Sequence, residues 1–141
     1  MHVVAAVTAT PPRHGKTETI LAAVVRMLER DPTLKIAYVS YAAEIAESKN
    51  IDMRLLAHDS ITAWERMGVD PPMQIHPDRE NNREWRTTKG GMVVATGIGG
   101  ALTSLGFNWV IVDDPSKSAG GNCVKCAILW RPCNSTNGEA T

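Results

Sequence analysis

Apolar positions along the chain fall into two rhythms that take turns. His2 to Ala9 is a short, β-branched apolar run that stops at Thr10-Pro11-Pro12, the pattern of a buried parallel strand entering a loop. From Thr17 to Arg30 the period lengthens. Ile20, Leu21, Val24, Val25 and Leu28 recur at three- and four-residue spacing, with Glu18 near the start and Arg30 at the end, where a helix dipole favours them. Asp31-Pro32 ends that helix. Lys35 to Tyr41 predicts a second strand and Ala42 to about Ala57 a second helix, while Ser60 is placed to cap a third, short helix through Met67. Gly68 to Pro77 reads as irregular, and Asp78 to Trp85 as one or two helical turns. Met92 to Thr96 predicts a strand and Gly97 to Gly106 a glycine-rich loop. Trp109 to Val112 is a strand delivering two carboxylates, Asp113 and Asp114.

Strand, helix, strand, helix in that order implies an α/β fold on a mainly parallel sheet. The expected domain is residues 1–117. Residues 118–141, rich in Gly, Asn, Ser and Thr without a sustained period, are expected to form a divergent, loosely ordered tail. The 141 residues suffice for one core, and 43% hydrophobic composition argues against disorder. Fifteen basic side chains cancel fifteen acidic ones, so no overall positive field points to nucleic acid. No apolar run approaches the ~18 residues of a membrane span, so no membrane partner is expected and a cytoplasmic location is.

The chemistry begins at Thr10-Pro11-Pro12-Arg13-His14-Gly15-Lys16-Thr17, between the first strand and the first helix. There, backbone N–H groups at a helix N-terminus point at a β-phosphate, Lys16 bridges β- and γ-oxygens, and the Thr17 hydroxyl reaches magnesium. Gly15 is expected because a Cβ would crowd the ligand. Pro12, Arg13, His14, Gly15, Lys16, Thr17 and Glu18 are the expected nucleotide-binding residues. Thr10 stands where the phosphate-loop pattern has its first glycine. Later in the chain, at the C-terminal end of an apolar strand where parallel sheets bind ligands, Asp113 is expected to hold magnesium with Thr17, and Asp114 to orient or deprotonate the attacking water. These residues predict a three-layer sandwich of the P-loop NTPase type that binds ATP and Mg2+.

The segments 11–18 and 110–117 resemble the ATPase motifs of the large terminase subunit of tailed bacteriophages. Ser40-Tyr-Ala-Ala-Glu-Ile-Ala46, Trp85-Arg-Thr-Thr-Lys-Gly-Gly91 and Ala95-Thr-Gly-Ile-Gly-Gly-Ala-Leu-Thr103 resemble the stretches that lie between them in that family, in the same order. The resemblance covers about Val3 to Lys117. It implies a motor that hydrolyses ATP to drive double-stranded DNA into a procapsid, in the host cytoplasm, with a small terminase subunit and the portal protein as partners. Self-association into a homo-oligomer is a further expectation. The resemblance also implies that Arg13 senses or stabilises the γ-phosphate, which makes it a catalytic residue beside Lys16 and Asp114; a cap on a neighbouring carbonyl or acid is the alternative role for Arg13. The family's adenine-binding, coupling and nuclease segments are not recognisable, so a truncated copy or a fragment is expected. A non-catalytic remnant and another P-loop ATPase, such as a helicase-like protein, are the rival readings.

Other features carry less. Cys123, Cys126 and Cys133 offer three thiolates where structural zinc wants four ligands, and free thiols are expected. Arg79, Arg83, Arg86 and Lys89, interleaved with Asp78, Glu80 and Glu84, read as a solvated helix face rather than a DNA-binding one. The tryptophans read as core or interface.

Overall fold

The 3.6-residue rhythm at the start of the chain becomes a helix whose five periodic positions, Ile20, Leu21, Val24, Val25 and Leu28, are all buried. The computed structural model describes residues 4–8, 15–100 and 106–113. Its elements are β1 (Val4–Thr8), α1 (Lys16–Arg30), β2 (Lys35–Ser40), α2 (Ala43–Arg66), β3 (Ile75–Glu80), β4 (Glu84–Thr87), β5 (Met92–Gly97) and β6 (Trp109–Asp113). They form a mixed α/β fold on a six-stranded sheet of order β1-β6-β2-β5-β4-β3. The first four strands in that order are mutually parallel, and β4 and β3 continue the sheet antiparallel.

Alternation along the strands sorts the core into two faces. Ile36 and Tyr38 of β2, Val93 and Ala95 of β5 and Ile111 of β6 pack with α1 and α2. Ala37 and Val39, with Val110 and Val112, point the other way and pack with Phe107. Both helices therefore lie on one face, and among the described residues no helix covers the other. The central strands are apolar on both faces, as expected of parallel strands.

Two expectations are corrected. The second and third helices are one, Ala43–Arg66, because nothing between them breaks a helix. Ser60 is no cap; its hydroxyl donates to Glu29 Oε1 of α1, and the Trp64 indole N–H points to the same oxygen at 3.4 Å. The helix ends where Gly68 takes φ 71°, with the Gly68 amide bonded to the Glu65 carbonyl and the Val69 amide to that of Trp64. The second correction concerns residues 75–87, which form a β-hairpin rather than loop and helical turn. Asn81 Oδ1 accepts the amides of Arg83 and Glu84 at 2.9 and 2.8 Å, closing the turn. Beyond it Trp85 and Thr87 are buried and Glu84 and Arg86 half-buried, a period of two. Arg79, Arg83 and Arg86 thus sit on strands and the turn between them. Arg83 pairs with Glu47 of α2 at 2.6 Å, and Arg86 with Glu84.

The turn joining α1 to β2 is tied locally. Asp31 accepts the Thr33 hydroxyl at 2.5 Å and its amide at 3.1 Å, and these bonds, the hydroxyl's first, hold the Asp31 carboxyl below its ordinary range. A lowered carboxyl stabilises the fold above its unfolded value, and that help fades as pH falls through the lowered one. Gly91 packs beneath this turn. A Cβ there would meet the Leu34 carbonyl oxygen and Thr87 Oγ1, each at 2.9 Å, and the Pro32 carbonyl closer still. Two of those neighbours are backbone and cannot swing away. Gly91→Ala is therefore expected to destabilise by about 1–3 kcal/mol, seen as a lower urea midpoint at unchanged slope.

Candidate functional site

Parallel strands end on a common edge, and that edge is where α/β sheets bind ligands. In β1, β6, β2 and β5 the last residues are Thr8, Asp113, Ser40 and Gly97, with Thr8 registered on Asp113 and Ser40 on Gly97. Gly97 lets α2 begin close to the sheet, since a Cβ there would sit 2.7 Å from the Ala43 amide nitrogen.

Over the same edge stands the N-terminus of α1. Gly15 precedes it at φ 68°, ψ 17°, with no side-chain cap, and its carbonyl accepts both the amide and the hydroxyl of Thr19 at 3.0 and 2.8 Å. The left-handed backbone is what calls for glycine here, because a Cβ on residue 15 would meet no atom within 4 Å. This conformational reason stands beside the crowding of a ligand expected at that position. The helix ladder starts at the Thr19 amide, so those of Lys16, Thr17 and Glu18 have no intrahelical acceptor and carry the positive end of the dipole.

Three side chains meet there. Lys16 Nζ is 3.1 Å from Asp113 Oδ1, both side chains being nearly buried at 11% and 4% exposure. The Thr17 hydroxyl donates to Asp113 Oδ2 at 3.1 Å across 96 residues of sequence. A third donor reaches the same oxygen: the hydroxyl of Tyr38, a buried β2 residue, at 2.7 Å. Asp113 Oδ1 itself accepts no hydrogen bond among the described residues although it is buried; it is paired with the Lys16 ammonium by charge. Glu18 is exposed.

Comparison of the chain with protein-family models, curated proteins and solved structures finds no match.

The donor set bears on magnesium. One carboxylate with an oxygen that lacks a hydrogen bond, beside one hydroxyl and one ammonium, suits a hard cation that keeps waters and takes its other ligands from phosphates. Among the described residues no group of three or more His, Cys, Asp or Glu gathers elsewhere to hold a metal ion. Nor, among them, is any helix long and apolar enough to cross a membrane.

Of the residues singled out in the sequence, Gly15, Lys16, Thr17 and Asp113 come together at this edge, with Glu18 one residue further along α1. Pro12, Arg13, His14 and Asp114 lie outside the described residues, as do the three cysteines and the tail 118–141. Tyr38 was not foreseen. A tyrosine inside an apolar strand reads as core, and only the register of β2 on β6 brings its hydroxyl to Asp113.

Proposed function

We propose that this chain is an ATP-binding and ATP-hydrolysing domain of the P-loop type, serving a phage DNA-packaging motor of the large terminase kind. The convergence of Lys16 and Thr17 on Asp113, at the N-terminus of α1 and the carboxyl edge of a parallel sheet, carries the nucleotide half of this reading. The resemblance of segments 11–18 and 110–117 supports the motor half, with double-stranded DNA, a small terminase subunit and a portal protein as partners, a homo-oligomeric assembly and a cytoplasmic place of work.

In this reading the amides of residues 16–18 bind the β-phosphate, and Lys16 leaves Asp113 to lie along the β- and γ-phosphate oxygens. Thr17 and Asp113 would hold magnesium. The ion, when bound, neutralises charge building on the phosphates. Asp114 follows Asp113 directly and is placed by sequence to take the proton of the attacking water, with Arg13 on the γ-phosphate. The ion pair between Lys16 and Asp113 favours a second reading, nucleotide binding without turnover, because the pair satisfies its own charges.

Calorimetry tests the first step. The chain is expected to bind Mg-ATP and to lose at least ~10-fold in affinity when the metal is chelated. In Asp113→Asn that metal dependence should largely vanish, an effect on the order of one to two decades for a charged ligand lost. A wild-type chain that binds no ATP at all sinks the proposal. Phosphate release, abolished in Asp114→Ala, separates turnover from binding alone.

A further inference from the structure

We propose that Tyr38 is a positioning residue of this site, anchoring one oxygen of Asp113 so that the other is presented to the nucleotide's cation; the inference rests on the phosphate-loop reading above. The geometry makes the case in three steps. Tyr38 is registered opposite Ile111, two residues short of Asp113, a distance of about 6.6 Å along a strand. Its side chain spans that gap within the core, 1% exposed, and its hydroxyl donates to Oδ2 at 2.7 Å. The Thr17 hydroxyl donates to the same oxygen, so Oδ2 carries two donors from two different elements while Oδ1 carries none.

That asymmetry has a mechanical meaning. The carboxyl torsion of an aspartate is broad and two-fold, so by itself it leaves the oxygens interchangeable. Two hydroxyls on Oδ2 fix the plane. Thr17 is a poor sole anchor, because the reading above also asks its oxygen to face the cation. Tyr38 is given no such second task toward the metal: its ring lies in the core on the sheet face that α1 and α2 cover, and its hydroxyl reaches Oδ2 from within that core. Oδ1 is then held toward Lys16, and once the ammonium moves to phosphate, that oxygen is already aimed at the place the cation takes.

Tyr38→Phe in the full chain keeps the ring and removes the anchor. Affinity for Mg-ATP is expected to fall about 5–20-fold, and the magnesium concentration that half-saturates binding to rise by a similar factor, while metal-free ATP stays within about twofold. A residue that merely fills the core would move both affinities together or neither, and either result overturns the proposal. In an Asp113→Asn background the Tyr38→Phe effect should disappear, since it is transmitted through that carboxylate; persistence there overturns it too. Thermal unfolding of each variant identifies a folding defect, and a Tyr38→Phe chain unfolded at the assay temperature would assign Tyr38 to packing instead. Lys16→Ala separates the two levels of failure. If it loses nucleotide while Tyr38→Phe keeps metal-dependent affinity unchanged, the positioning role alone fails. If wild type and Lys16→Ala are alike, the site is no phosphate loop and the role of Tyr38 falls with it.

Discussion

Lys16→Ala is expected to remove measurable Mg-ATP binding, a loss of at least ~100-fold. The ammonium is the one side-chain cation among the described residues at the α1 N-terminus, and charge-assisted bonds to two phosphate oxygens are worth about 3 kcal/mol or more together. The variant should also unfold more easily, by about 1–3 kcal/mol, because Asp113 would keep its two hydroxyl donors but lose the charge opposite Oδ1. The two effects separate cleanly in one experiment. Calorimetry well below the unfolding temperature reads the ligand term, and a denaturant titration reads the other. A folded Lys16→Ala chain that still binds Mg-ATP like wild type would remove the phosphate-loop assignment.

The largest stability effect is expected at Trp85, fully buried between the hairpin and α2. Its indole N–H donates to Asn50 Oδ1 at 3.0 Å, and Asn50 in turn donates to the Asn82 carbonyl at 3.0 Å. Asn50 is itself 1% exposed, so this amide joins helix to hairpin with no solvent to replace either partner. Trp85→Ala opens a large cavity and strands the amide oxygen, for a cost of about 3–5 kcal/mol, and lowers the melting temperature by roughly 10–20 °C. Trp85→Phe isolates the polar part: most of the ring volume stays and the cost should drop to about 1–3 kcal/mol. Equal losses in the two variants would mean that the hydrogen bond, not the packing, holds the hairpin.

Sequence periodicity carried α1, β2, β5 and β6 to within a residue or two, because each is long enough to show its rhythm, and the clearest ends are marked by Asp31-Pro32 after α1, Gly97 at the end of β5 and the acids that close β6. It failed where the deciding partner was distant. Ser60 has the chemistry of a cap, but its hydroxyl is taken by Glu29 on the neighbouring helix. The hairpin hid because Asp78 to Arg83 is entirely polar, and its one clear sign was the alternation of Glu84, Trp85, Arg86 and Thr87 after an Asn-Asn turn. At the site, residue type and spacing singled out Lys16, Thr17 and Asp113, since those chemistries need those side chains at a strand end and a helix start. Tyr38 could not be found that way. Its part depends on which strands are neighbours, and β6, last of the eight described elements, lies between β1 and β2.

That insertion of β6 sets a timetable for the newborn chain. The first strand has no described neighbour until the last arrives: Val4 pairs with Trp109 and Thr8 with Asp113. At the ribosome's pace of about 5–20 residues per second, β1 would wait roughly 5–20 s for the strand it pairs with, while α1 already has β2 and α2 to pack on. Meanwhile β2, α2, the hairpin and β5 have neighbours of their own and can assemble in the order they emerge. Thr17 is synthesised 96 residues ahead of Asp113 and meets it only as β6 slides between β1 and β2, so the ability to grip a phosphate would come after the other described strands have paired.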